Sequence, residues 1–171
     1  RRRGRDAGVR PLRDGQPKPP APASADRTAT ALTTQTRRLA KSAGQLLIAG
    51  FDGTEPSKEI LALIRAGLGG VILYRKNCVD AAQVLELTNR LQEEARAAEH
   101  AQPLLIAIDQ EQGRVVRITE GVTVFPAMGA IARGGDADLV ERVAAATSRE
   151  LLALGVNWNL APVADVLSVP D

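Results

Sequence analysis

The stretch QLLIAGFDGTEPSKEILALIRAGLGGVILY, residues 45–74, holds two short apolar runs with one amphipathic segment between them. Leu46-Leu47-Ile48-Ala49-Gly50 is too short for a helix and is ended by glycine. From Pro56 to Ala66, the residues Ile60, Leu63 and Ile64 recur at helical spacing on one face. Gly67 and Gly69 then act as helix stops, and Gly70-Val71-Ile72-Leu73-Tyr74 is a second apolar run. Runs that are apolar without alternation, joined by an amphipathic helix, are the pattern of parallel strands buried on both faces.

Outward from this unit the pattern repeats. Residues 80–98 carry Val84, Leu87, Leu91, Ala95 and Ala98 at i, i+3 and i+4 spacing, with Asp80 as a good N-cap. Pro103 to Ile108 is a third apolar run. Asp136 or Asp138 opens a helix to about Leu154, with Val140, Val143, Ala144, Leu151 and Leu154 inward. Gly155 ends that helix, and Val156-Asn157-Trp158-Asn159-Leu160 is a fourth strand. Over residues 30–44, Ala31, Leu32, Leu39 and Ala43 make only a weak helical stripe.

The order β-α-β-α-β-loop-α-β predicts an α/β protein made of parallel βα units. Two architectures suit it: a doubly wound open sheet, and a (β/α)8 barrel of about 250 residues, of which this chain would supply roughly half. Gly50-Phe51-Asp52-Gly53 is too short for a glycine-rich phosphate turn and carries an acid where phosphate would sit. Periodicity alone does not choose between them.

Composition bounds the chemistry. The 171 residues include one cysteine, Cys78, which excludes an internal disulfide framework and a multi-cysteine zinc site. One histidine, His100, excludes a His-rich metal centre. No stretch approaches the ~20 apolar residues of a membrane-spanning helix, so a soluble chain is expected. The net charge of +2 is unevenly spread: residues 1–41 hold 11 Lys+Arg against 3 Asp+Glu, whereas residues 42–171 hold 11 against 17.

From Arg1 to about Ala25 the chain is Arg, Pro, Gly, Ala and Asp, with five prolines between Pro11 and Pro22. Such a segment buries almost nothing, so residues 1–27 are read as a disordered basic tail before a domain over 28–171. No aromatics interleave its arginines, which favours a solvated linker over a nucleic-acid arm. It lacks the apolar run of a secretory signal, and a cytoplasmic location is favoured. The opening Arg1 in place of Met suggests a fragment or a processed product.

In parallel α/β folds chemistry collects at the carboxyl ends of the strands. Here those ends carry Asp52; Arg75, Lys76 and Asn77; Asp109, Gln110 and Glu111; and Asn157, Asn159 and Asp165. The third end is richest, with two acids and two arginines in residues 109–117. Asp109 and Glu111, at i and i+2, could share a side as an acid/base pair. Equally, Glu111 could form an ion pair with Arg114 or Arg117 that only shapes the loop. His100 reads as an exposed residue favoured by a helix dipole, Trp158 as a packing residue. Cys78 stands beside Arg75 and Lys76, which would lower its pKa, but without a partnering histidine it reads as incidental.

The run IDQEQGRVVRI at 108–118 resembles the (I/V)DQEGGRVxR signature of family 3 glycoside hydrolases, in the β-N-acetylhexosaminidase branch. GLGGVILYRKN at 67–77, VFPAMGAIA at 124–132 and ELLALGVNWNLAPVADV at 150–166 are similar to further motifs of that branch, in the same order. The resemblance runs from about Gln45 to the last residue and implies the first half, about four βα units, of a (β/α)8 TIM barrel. It implies a retaining exo-β-N-acetylglucosaminidase acting on terminal β-linked N-acetylglucosamine, as in cell-wall recycling, with a carbohydrate substrate and no cofactor or metal. Alternatives are a family 3 β-glucosidase and a non-catalytic sugar-binding half-barrel that pairs with a second copy.

By the same resemblance, Asp109 and Arg117 are substrate-binding residues, and Glu111 and Arg114 support their loop. The family's nucleophilic aspartate and its acid/base loop correspond to no residue of this chain, so the chain by itself is expected to be inactive and poorly folded. One departure stands out. The family carries two glycines after the acid, and here the first is Gln112; if that position needs a positive φ, glutamine costs about 1 kcal/mol and twists the loop that carries Arg117.

Overall fold

The computed structural model describes residues 24–134 and 136–165, with side chains from residue 33 onward. The chain divides into two compact units, Arg1–Gln35 and Thr36–Asp171. Of the tail predicted over 1–27, residues 1–23 lie outside the described residues, and Ser24 to Arg27 open the helix α1 (Ser24–Gly44). The weak stripe expected on that helix is not a buried one: Leu39 is 64% exposed.

In the larger unit, β1 (Ile48–Ala49), β2 (Gly70–Leu73), β3 (Leu105–Ile108) and β4 (Trp158–Asn159) form a sheet. All three pairings are parallel, and the strands lie in the order β1-β2-β3-β4. The helices between them are α2 (Lys58–Ala66), α3 (Ala81–Ala97), α4 (Met128–Ala132) and α5 (Ala137–Ala153). Three of these start where a side chain satisfies the free N–H groups of the first turn. Ser57 accepts from Ile60 N, Asp80 from Gln83 N and Asp136 from Leu139 N. The short α4 has no such cap and no apolar period, and the sequence shows no sign of it.

Strand order bears on what periodicity left open. Right-handed crossovers that always advance to the next strand place every helix on the same face of the sheet. A doubly wound sheet needs a reversal of order, and among the described strands there is none. The residues on the helix side, Val71, Leu73, Ile106 and Ile108, are fully buried against Ile60 and Ile64 of α2, Val84, Leu87 and Leu91 of α3, and Leu151 of α5. Each such side chain contributes about 1.5–3 kcal/mol through removal from water.

The other face differs from the expectation of strands buried on both sides. Ile48, Leu105 and Trp158 are each about 40% exposed, as are Tyr74 and Leu160 just beyond their strands. The register puts Ile48 beside Gly70, Gly70 beside Leu105, and Ala107 beside Trp158, so these residues share one surface. It is apolar like the helix side, but among the described residues no layer covers it. Gly70 lets Ile48 and Leu105 close over it: a Cβ there would stand 2.8 Å from that of Leu105. Among the described residues, no helix is long and apolar enough to cross a membrane.

Candidate functional site

The polar cluster begins where β3 stops. Asp109, directly after Ile108, accepts a hydrogen bond on Oδ2 from Nη2 of Arg117 at 2.8 Å. Eight residues separate the partners, and what folds the chain back is Gln110, only 2% exposed. Its Oε1 accepts from the backbone N–H of Arg117 at 2.9 Å and of Ile118 at 3.2 Å, while its Nε2 donates to the Ile118 carbonyl at 2.9 Å. Its own peptide groups are held by Asn159, which accepts from Gln110 N at 3.0 Å and donates to Gln110 O at 3.2 Å. Ile118, fully buried, anchors the returning limb of the loop in the core. Sequence reading named Gln110 among polar strand-end residues but not as this staple; its position next to an apolar strand was the available signal.

The turn between them has two consecutive residues of positive φ, Gln112 at 69° and Gly113 at 70°. At Gly113 a side chain is impossible without a shift, because its Cβ would lie 2.5 Å from that of Ala127. At Gln112 the left-handed backbone is present as anticipated, but the loop is not thrown off, and that expectation is corrected. The glutamine side chain is buried and used: Nε2 donates to Thr147 Oγ1 on α5 at 3.1 Å, and Oε1 accepts from Phe125 N at 3.0 Å. Two bonds of about 1 kcal/mol each offset the backbone cost, and Arg117 still reaches Asp109.

Arg117 is also met from β2. Its Cζ lies over the Tyr74 ring, 5.9 Å from the centroid, and Lys76 Nζ lies 6.0 Å from the same centroid. Lys76 in turn pairs with Asp52 at the end of β1. Arg75 Nη1 donates to the Cys78 carbonyl at 2.8 Å and to the Arg117 carbonyl at 3.5 Å. Among the described residues one buried side-chain donor is left over: Arg117 Nε has no hydrogen-bond partner there.

Other candidates come apart. β3 ends at Ile108, so strand alternation no longer governs Glu111. That residue lines a cavity of about 300 Å³ with Arg114, Met128 and Pro162, a lining that does not include Asp109. Arg117 pairs with Asp109, not with Glu111. Asn77, Asn157 and Asn159 are structural. Asn77 accepts from Tyr74 N and donates to the carbonyls of Phe51 and Gly53, tying the β1 loop to β2. Asn157 accepts from Ile106 N and donates to Leu104 O, so it extends the short β3–β4 ladder with its side chain.

His100 is partly buried, not fully exposed, and its Nε2 is 2.7 Å from the Ile64 carbonyl at the end of α2. Trp158 lies on the uncovered sheet face, and Asp165 is exposed. Cys78 is buried, and burial pushes its thiol up to about 11 against the smaller opposing pull of Arg75 and Arg117. The expectation of a lowered thiol is overturned by desolvation. Among the described residues no three His, Cys, Asp or Glu side chains gather as metal ligands.

A singly wound parallel sheet with an acid–arginine pair at the carboxyl end of its third strand defines an α/β protein of the strand-end-site class. The profile of the glycosyl hydrolase family 3 N terminal domain matches residues 38–171, and the chain belongs to that family. It is 43% identical over 112 residues to beta-hexosaminidase A of Pseudoalteromonas piscicida, covering 63% of this chain and 19% of that relative. A glycoside hydrolase family 3 β-N-acetylglucosaminidase from Paenibacillus sp. str. FPU-7 superimposes with a TM-score of 0.70 at 44% identity, over 72% of this chain and 24% of the other. NagZ from Neisseria gonorrhoeae, solved in complex with N-trifluoroacetyl-D-glucosamine, gives 0.57 at 29% identity, over 68% and 36%. The chain thus spans between a fifth and two fifths of the length of these relatives.

Proposed function

We propose that this chain carries the amino-terminal part of a β-N-acetylhexosaminidase barrel, and that Asp109 and Arg117 grip the terminal N-acetylglucosamine of its substrate. The observation that carries the reading is the Asp109–Arg117 pair at the mouth of the sheet, with a buried Arg117 Nε that lacks an acceptor. An unmatched buried donor is costly, and a ligand oxygen would satisfy it. A carboxylate accepts from sugar hydroxyls and a guanidinium donates to ring substituents, both as charge-assisted bonds. Such bonds accelerate the reaction when they tighten as the sugar ring distorts toward the oxocarbenium-like transition state.

The displacement is of the retaining kind in this reading: a carboxylate attacks the anomeric carbon, a glycosyl ester forms, and water resolves it. No residue of this chain is assigned those two carboxyl roles. A closed eight-stranded barrel, of which these are four strands, is supported by three features. The sheet has an uncovered apolar face, β1 and β4 have no further strand partner among the described residues, and the relatives are longer. Muropeptides and chito-oligosaccharides are the substrates whose non-reducing ends fit this description.

The test is hydrolysis of an aryl β-N-acetylglucosaminide by the complete translation product of the gene. Asp109→Asn and Arg117→Lys should each lower kcat/KM by about 10- to 100-fold, the weight of one charge-assisted bond. Cleavage of the aryl β-glucoside in preference to the acetamido substrate would replace the reading with a β-glucosidase. Turnover untouched by both substitutions would remove the two residues from the site.

A further inference from the structure

Tyr74 stands between two ion pairs and nothing so far gives it work to do. It follows β2 directly, and its backbone is pinned on both sides by Asn77, which accepts from Tyr74 N through Oδ1 and donates its own N–H to Tyr74 O, each at 2.9 Å. The ring packs close over β1: a Cβ on Gly50 would approach its Cε2 to 3.2 Å, so only glycine leaves the ring this seat without adjustment. The Arg117 guanidinium lies over that ring. The same guanidinium has one described side-chain bond, from Nη2 to Asp109, and a buried Nε without an acceptor.

A single bond at one end of a planar guanidinium fixes a point and not an orientation. An aromatic face fixes the plane, because the ring quadrupole attracts the cation where it overlies the π system. Lys76, 6.0 Å from the same centroid, is drawn to that ring as well and is paired with Asp52. Removing the ring would take the negative π face away from both cations.

We propose that Tyr74 is a positioning residue, its ring holding the Arg117 guanidinium so that Nη2 stays on Asp109 and the other donors are presented to the sugar. The phenol hydroxyl has no part in this. The sugar-binding clause rests on the function proposed above, whereas the positioning itself does not.

The experiment uses the complete translation product with ¹⁵N-labelled arginine and three variants. Tyr74→Phe keeps the ring; Tyr74→Leu removes it; Tyr74→Met removes it with a longer side chain should leucine fail to fold. The Arg117 Nε–H resonance, assigned by its loss in Arg117→Lys, should be unchanged in Tyr74→Phe. In Leu or Met it should move away from its ring-shifted position and its order parameter should fall, with the backbone amides of β2 and β3 unmoved. With the aryl β-N-acetylglucosaminide, KM should rise about 3- to 30-fold in Leu or Met, the worth of one cation–π contact, and kcat should fall less. Phe should retain wild-type KM, and in an Arg117→Lys background the Leu effect should shrink.

An Arg117 resonance indifferent to loss of the ring overturns the proposal, as does a Phe variant as impaired as Leu. A resonance that moves as expected in a protein that cleaves no acetamido substrate keeps the positioning and refutes the hexosaminidase reading instead.

Discussion

At residue scale the informative position is Gln112, where a glutamine occupies a backbone conformation that suits glycine. The penalty was legible in the sequence, but its compensation was not. Thr147 and the Phe125 amide are 35 and 13 residues away, and only folding brings them to the amide group. The two contributions can be separated. Gln112→Ala keeps the strained φ and loses both bonds, so it should destabilise by about 2 kcal/mol. Gln112→Gly loses the same bonds but relieves the strain, and should cost about 1 kcal/mol less than alanine. Urea denaturation of the two variants gives the order; alanine milder than glycine would mean that the positive φ at this position carries no strain.

Cys78 shows the same division. Charged neighbours in sequence suggest a lowered thiol pKa, yet the residue is 4% exposed and its thiol is raised to about 11. The thiol is raised, so the neutral form persists in the folded chain above the ordinary range near 9.0. Stability from this group is complete below pH 9 and is lost as pH climbs toward 11, where the unfolded chain ionises first. At pH 8 the native protein should therefore react with an aromatic disulfide reagent at least about tenfold more slowly than in denaturant, measured by thiolate release. Equal rates would place the sulfur at the surface.

At the scale of elements, helices were easier to read than strands. α3 and α5 begin at the caps and end near the glycines or last apolar residues that periodicity indicated, because a helix is satisfied by bonds within itself. β1 and β4 shrink to two residues each although five apolar or mixed residues were expected, since a strand exists only as far as its neighbour pairs with it. Asparagine side chains complete what the short ladder lacks. Asn159→Leu removes a donor and an acceptor from Gln110, so it should cost about 2 kcal/mol and loosen the loop that carries Arg117. Thermal unfolding reads the first effect. Loss of the Arg117–Asp109 bond in a variant crystal structure reads the second, and an unaltered loop would detach Asn159 from the site.

At the scale of the molecule, one sheet face is packed and, among the described residues, the other is largely uncovered. An exposed surface carrying Ile48, Leu105, Trp158 and Leu160 is of the kind that associates or binds apolar dyes. Edges of β1 and β4 with unpaired backbone groups act in the same direction. The 171-residue chain alone should accordingly enhance anilinonaphthalene fluorescence strongly and sediment as a concentration-dependent mixture. A monodisperse, dye-silent chain would show that this face is covered within the chain itself.

What the sequence determined by itself was local: where the long helices run and how they are capped, that the strands are parallel, and that charged residues gather over 109–117. These follow from periodicity, side-chain caps and the excess of charge at one strand end, all properties of neighbours in the chain. Tertiary structure alone decided the order of the strands, the face left exposed, and the Asn159 side chain that holds Gln110 in place. Such choices depend on contacts across tens of residues, where the deciding quantity is which groups lose water together, and no window along the chain contains both sides of that exchange.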